Sequence, residues 1–146
     1  MLLAIDDDPM CRRLVAAIFD AEGLEVVAAE DGPSGLARFD EVRPSVVLLD
    51  LQLPQMNGIE VLEQLRARSP QTPVVILTGS RELKPAVRAT QLGAFDYLTK
   101  PLDSDELVVV VRRALRDRAM VTELASLREQ LGAGGPLALQ MGASAL

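Results

Sequence analysis

The sequence predicts an α/β protein, a doubly wound parallel sheet of five strands with an extended C-terminal helix, from three observations. Short apolar runs of strand length alternate with segments of helical period, the pattern of a parallel sheet covered by helices. Val46-Val47-Leu48-Leu49 is apolar at consecutive positions, as a strand buried on both faces must be, and this run is therefore central. Distinctive polar residues follow the runs: Asp6-Asp7-Asp8, then Asp50, then Thr78-Gly79-Ser80, then Lys100-Pro101. In such sheets ligands gather at the carboxyl ends of the strands, near a switch in strand order.

In chain order the strands are expected near 2–5, 24–28, 45–50, 73–78 and 95–98. The first helix starts with Asp8 as N-cap and Pro9 at its first position, turns Leu14, Val15, Ala17 and Ile18 to the sheet, and stops at Gly23. Asp31-Gly32-Pro33 opens a second helix through Phe39, and Asn57-Gly58 a third through Arg68. Leu83 to Gln91 makes a fourth, with Pro85 in its first turn and Gly93 closing it. From Asp103-Ser104 a fifth begins with Asp105 and Glu106 in the first turn, where the helix dipole favours acids.

That last pattern outruns a domain of this size. Met120, Leu124, Leu127 and Leu131 follow four-three-four spacing, a coiled-coil seam on a helix of about 28 residues or about 42 Å, with packing on the chain's own domain as the plainer alternative. Arg113 and Asp117 lie on the backward extension of the seam, where paired helices would diverge toward their own domains. Gly132-Ala133-Gly134-Gly135-Pro136 is expected to break the helix, and the small uncharged residues after it read as linker.

Composition sets limits. The 146 residues suit one core, commonly about 100 to 150 residues, with a remainder. A net charge of -6 without a basic run argues against nucleic acid binding by these residues. The single Cys11 excludes an internal disulfide and, with no histidine, a Cys/His zinc site, so a cytoplasmic setting is expected, with Cys11 as a packing residue. No stretch reaches the roughly 20 apolar residues of a membrane span, and Met1-Leu2-Leu3 enters a strand with no leader pattern.

Asp6, Asp7 and Asp50 on one edge would repel one another by about 3 kcal/mol per pair at about 5 Å and an effective dielectric near 20. A Mg2+ ion suits them, because it takes hard oxygen ligands and is held by a few carboxylates together with phosphate oxygens. Lys100 supplies a compact positive charge for a phosphoryl oxygen, and Thr78 a hydroxyl donor. Together they describe a phosphoryl-transfer site in which a carboxylate attacks phosphorus to give an aspartyl phosphate. Each part alone is commonplace: Asp triplets cap helices, Thr-Gly makes turns and Lys-Pro ends strands. Their joint order at successive strand ends selects the functional reading.

At Leu3-Ala4-Ile5-Asp6-Asp7-Asp8, Leu48-Leu49-Asp50-Leu51-Gln52-Leu53-Pro54-Gln55-Met56-Asn57-Gly58, Thr78-Gly79 and Gly93-Ala94-Phe95-Asp96-Tyr97-Leu98-Thr99-Lys100-Pro101 the chain resembles the receiver domain of two-component response regulators. The resemblance covers about 1–118, leaving 119–131 as a helical extension and 132–146 as linker or tail. It implies a flavodoxin-like fold with strand order 2-1-3-4-5. It also implies Asp50 as phosphoacceptor, and Asp6, Asp7, Asp50 and the backbone carbonyl of Gln52 as Mg2+ ligands. Thr78, Gly79 and Lys100 become phosphate-binding residues, and Thr78 and Tyr97 a switch pair. Asp8 is then a cap and not a ligand. Gln52 and Ser80 stand where side chains influence phosphoryl lifetime. A sensor histidine kinase as donor and an output domain or protein partner are implied as well, while the apolar seam of the extension adds the expectation of a homodimer. The stretch from Gly93 to Pro101 with a long last helix is most similar to receivers of NtrC-type transcription regulators, and Gln140-Met141-Gly142-Ala143-Ser144 faintly to the entry of their ATPase domain. No phosphate-binding Gly-x-x-x-x-Gly-Lys loop or helix-turn-helix lies in the chain. The chain is thus either part of a longer regulator or a receiver with a dimerising tail.

Two other classes fit the residues less well. A phosphatase of the haloacid-dehalogenase type needs Asp-x-Asp at its nucleophile, and here Gln52 stands two beyond Asp50. A flavodoxin-like cofactor binder needs a Ser/Thr/Gly-rich phosphate loop after the first strand, where Asp6-Asp7-Asp8 would repel phosphate.

Overall fold

The structure, a computed structural model, describes residues 1–79 and 83–133. Ser80, the side chains of Pro85 and Leu131, and residues 134–146 of the tail lie outside the described residues. The order is β1 (Leu2–Ile5), α1 (Pro9–Ala21), β2 (Val26–Ala29), α2 (Gly32–Val42), β3 (Val46–Asp50), α3 (Gly58–Arg68), β4 (Val74–Thr78), α4 (Leu83–Gln91), β5 (Asp96–Thr99) and α5 (Ser104–Ala133).

All pairings are parallel and the sheet runs β2-β1-β3-β4-β5, as expected. Because side chains alternate across a strand, each central strand feeds two cores. Leu2 and Ala4, Val46 and Leu48, and Val75 and Leu77 point to one face, where Val15 and Phe19 of α1 and Leu107, Val111 and Ala114 of α5 cover them. Leu3 and Ile5, Val47 and Leu49, and Val74 and Ile76 point to the other, under Leu36 and Phe39 of α2, Val61, Leu62 and Leu65 of α3, and Ala89 of α4. Every residue of β1, β3 and β4 is buried, which explains their consecutive apolar runs.

The α1 face differs from expectation. Cys11, Val15 and Phe19 are buried with Ile18 beside them, while Leu14 and Ala17 are exposed. A helix with apolar residues at 11, 14, 15, 17, 18 and 19 has two candidate faces, and the sheet takes the one carrying the large Phe19. Leu24 also leaves its expected strand. Its N–H bonds Phe19 O at 2.9 Å and Gly23, at φ +77°, bonds Asp20 O at 3.1 Å, a six-to-one closure that delays β2 to Val26. The second helix runs past Phe39 to Val42, ended by Arg43 in the left-handed region. α5 continues through Ala133, so Gly132 does not break it, and 30 residues make it about 45 Å long. Pro85 falls in the first turn of α4, where its missing N–H costs no helical bond.

No helix among the described residues is long and apolar enough to cross a membrane.

Candidate functional site

The strand order reverses between β1 and β3: the chain goes from β1 to β2 on one side, then crosses to β3 on the other. The crevice this opens lies at the carboxyl ends of those two strands. β1 ends at Ile5 and delivers Asp6 and Asp7, and β3 ends at Asp50. Carboxylate oxygens of the three acids all lie within 4.8 Å of one another. Asp6 is 1% and Asp50 3% exposed, whereas Asp7 faces solvent. Asp8 caps α1 instead, its carboxylate accepting from Met10 N at 2.9 Å.

Each acid is fixed by its own backbone. Asp8 N donates to Asp6 Oδ1 at 2.9 Å, and Gln52 N donates to Asp50 Oδ1 at 2.9 Å. Gly58, the first residue of α3, brings the loop back so closely that a Cβ there would lie 2.5 Å from Leu51 Cα and 2.8 Å from Asp50 O. No other residue type fits. β5 brings the positive charge: Lys100 N donates to Thr78 O at 2.8 Å, and Lys100 Nζ lies 2.8 Å from Asp6 Oδ2 and 3.1 Å from Asp50 Oδ2. The Lys100–Pro101 peptide bond is cis.

The electrostatics follow from burial against these partners. Burial alone would raise Asp6, but contacts with the Cys11 thiol, Lys100 and the Asp8 N–H hold it below the ordinary carboxylate value. Asp50 is raised, first by burial and also by the charge of Asp6, against the opposing pull of Gln52 N–H and Lys100. Burial would lower Lys100, yet Asp6 and Asp50 outweigh it and keep the amine protonated. The Cys11 thiol is pushed up to about 12 by burial and by Asp6, so it stays protonated at neutral pH.

Thr78 is buried at the end of β4, one residue beyond the Asp50 and Leu77 pairing. Gly79 follows it, and the nearest atom to a Cβ there would be Gln52 Oε1 at 3.8 Å. Tyr97 pairs with Ile76 across β4 and β5 and is 43% exposed, so its ring lies outside the crevice. Asp6, Asp7, Asp50 and Lys100 therefore meet, Thr78, Gly79 and Gln52 line the same edge, and Tyr97 stands apart. Two neighbours escaped the sequence reading: Cys11, which contacts Asp6, and Arg12, whose guanidinium donates to Asp6 O at 2.8 Å. Their signal was the phase of α1, which sets residues 11 and 12 one turn above the Asp pair.

The donor set suits a small hard cation. Ligands around an octahedral Mg2+ at about 2.0–2.1 Å sit roughly 3–4 Å apart, a spread these carboxylates nearly have. Asp6 Oδ2 is buried and meets Lys100 as an ion pair without an aligned hydrogen bond, which leaves it able to accept a further positive partner.

The response regulator receiver domain family matches residues 2–112. Regulatory protein AtoC of Escherichia coli is 38% identical over 130 residues, 89% of this chain and 28% of its own length. The DNA-binding transcriptional regulator NtrC of Salmonella typhimurium is 40% identical over 111 residues, 76% of this chain and 24% of its length. The chain thus spans about a quarter of the length of these two relatives. Among solved structures, the receiver domain of NtrX from Brucella abortus superposes with a TM-score of 0.76 at 36% identity, covering 80% of this chain and 98% of that one. With a family match across most of its length and a solved receiver covered almost end to end, the chain belongs to the response regulator receiver domain family.

Proposed function

We propose that Asp50 is the phosphoacceptor of this receiver, that Asp6, Asp7, Asp50 and the Gln52 carbonyl hold Mg2+, and that Lys100, Thr78 and Gly79 bind the phosphoryl oxygens. The observation that carries this is the Lys100 ammonium spanning two buried carboxylates at the β1–β3 switch point, with a third acid in reach. A buried carboxylate that is both pinned by backbone and faced by a cation is a pre-positioned nucleophile.

The chain's own groups divide the work. The Gln52 N–H holds Asp50 Oδ1 and so fixes the plane of the carboxylate, and Oδ2 faces Lys100. An Asp50 oxygen attacks phosphorus, the bond from phosphorus to a donor histidine nitrogen breaks, and the imidazole leaves with that electron pair. Lys100 moves its charge from the carboxylates to a phosphoryl oxygen, while the Thr78 hydroxyl and Gly79 N–H donate to others. Bound Mg2+ would neutralise the clustered carboxylates and the phosphoryl oxygens. The donor is a sensor histidine kinase, for which exposed Met10 and Leu14, one turn apart on α1, offer an apolar landing beside the crevice. The chain is a switch and not an enzyme acting on outside substrates: Thr78 moves to the phosphoryl group, and Tyr97, outside at rest, turns inward.

The receiver body is 1–118, and the extension 119–131 couples it to an output domain or partner as a homodimer. Exposure of Met120, Leu124 and Leu127 supports that role, for these side chains find no full cover among the described residues. Arg113, on the backward extension of that seam, is turned to its own domain, bonded to Asp96 Oδ2 at 2.6 Å and lying 5.8 Å over the Phe95 ring.

Calorimetry with Mg2+ and beryllofluoride tests the assignment. The chain should bind the pair, and Asp50→Asn should lose the fluoride complex with an unchanged circular dichroism spectrum. Tight mimic binding by folded Asp50→Asn would remove Asp50 from the role.

A further inference from the structure

Helix α2 gives no side chain to the acidic crevice, yet its first residue touches the loop that does. A methyl group on Gly32 would sit 2.9 Å from Met56 Cβ, 3.0 Å from Met56 Sδ and 2.9 Å from Val61 Cγ2. Gly32 is itself held in place, because the Asp31 carboxylate accepts from Ser34 N at 2.8 Å and from Ser34 Oγ at 2.7 Å. On the other side, Met56 belongs to the 51–57 loop between β3 and α3 and is half-buried against the core under α2 and α3.

That loop needs an outside support. Its conformation includes Gln55 at φ +68°, a left-handed backbone on a residue with a Cβ, which persists only where surroundings over-determine it. Near its middle Met56 N donates to Pro54 O at 2.7 Å, and Leu53 and Met56 pack on the core. Gly58 pins the far end on Asp50 and Leu51, and Gln52 N pins the near end on Asp50. Its middle is held by that packing, in which Met56 lies against Gly32.

We infer that Gly32 and Met56 are positioning residues for the cation site: the close approach of α2 to the Met56 side chain sets the path of residues 52–56 and so the placement of the Gln52 carbonyl. The inference rests on the ligand set proposed above. It adds α2, an element with no ligand, to the parts that determine cation affinity. The geometry demands glycine at 32 because the approach leaves no room for a Cβ, and the Met56 thioether fills the space beside it.

Two readouts test it in the intact chain: Mg2+ affinity by calorimetry, with magnesium chloride as the only ligand, and amide hydrogen exchange of residues 52–57 without metal. Met56→Ala removes the side chain beyond Cβ, its thioether included, without adding bulk. It should stay folded, exchange faster in 52–57 and bind Mg2+ about tenfold more weakly, the low end of what outer-shell changes do. Met56→Leu, which refills most of the volume, should recover affinity close to that of the parent. Gly32→Ala attacks the same contact from α2 and should weaken Mg2+ likewise. If it fails to fold, Met56→Ala decides. Val111→Ala, a buried α5 residue on the opposite face of the sheet, should cost stability and leave affinity alone. A parent chain that binds no Mg2+ would overturn the ligand set and this inference together. A parent that binds, with folded Met56→Ala binding equally well, would overturn the inference alone, and so would equal weakening by Val111→Ala.

Discussion

The Lys100 ammonium lies 2.8 Å from Asp6 Oδ2, an ion pair whose acid is almost wholly buried and whose lysine side chain is 22% exposed. Asp50 shares the same nitrogen at 3.1 Å, so one lysine compensates two buried carboxylates. Lys100→Met should therefore destabilise the chain by about 2–3 kcal/mol, somewhat below the usual cost of breaking a fully buried pair because the lysine keeps some water. Mg2+ should restore more stability to the variant than it adds to the parent, since the cation replaces a missing charge. Urea unfolding of both proteins with and without Mg2+ measures this. An equal Mg2+ effect in the two would contradict the shared-charge account.

Two glycines separate steric need from backbone need. Gly58→Ala pushes a Cβ to 2.5 Å from Leu51 Cα, backbone that cannot give way, and should cost about 3 kcal/mol while displacing Asp50. Gly23→Ala meets nothing within 4 Å but keeps φ +77°, and should cost about 1–2 kcal/mol for the left-handed conformation. Only the first should impair Mg2+ binding. Thermal melts and calorimetry on both variants check the split.

The Asp31 cap carries a pH signature. Its carboxyl is held below the ordinary value of 3.8 by hydrogen bonds from the Ser34 hydroxyl and N–H. A depressed folded pKa means that its contribution is fully present above the unfolded value and is lost as pH falls through the folded one. Asp31→Asn keeps an acceptor but not the charge. The stability gap between parent and variant should therefore be constant at neutral pH and narrow below about pH 4. Denaturant titrations across that range give the answer, and a gap that widens on acidification would be the wrong sign.

The exposed seam on α5 predicts association. Met120 at 63%, Leu124 at 51% and Leu127 at 46% exposure line one stripe, and burying each against a second copy returns roughly 1.5 kcal/mol or more. The full chain should dimerise, and a chain ending at Arg118 should be monomeric or much weaker. Sedimentation of both at tens of micromolar, with and without beryllofluoride, distinguishes them. A full-length chain that stays monomeric in both states would leave the stripe without a dimer role.

Much of the site was legible because parallel sheets write it at strand ends. Asp50 closes an all-apolar run and Lys100 follows an aromatic strand, so their positions along the chain gave their shared edge without any contact being known. Asp8 was separable from Asp6 and Asp7 because Pro9 marks the helix start. Helix phase was not legible in the same way. Leu14 and Ala17 were expected inward and lie outward, since the periodicity of α1 admits two faces and only the sheet selects between them. For the same reason Cys11 was read as packing alone, though its thiol reaches Asp6. Leu24 looked like strand and serves as the hydrophobic end of a helix cap. The approach of Gly32 to Met56 joins the start of α2 to a loop distant in sequence, and nothing local to either announces it.

The central claim is that Asp50 takes the phosphoryl group. Intact-protein mass spectrometry after incubation with Mg2+ and acetyl phosphate tests it most directly, on the parent and on Asp50→Asn. One phosphoryl group should add to the parent, stable in acid and lost in base, dependent on Mg2+, and absent from the folded variant. Addition of the same base-labile group to Asp50→Asn, or none to the parent with Mg2+ bound, would contradict it.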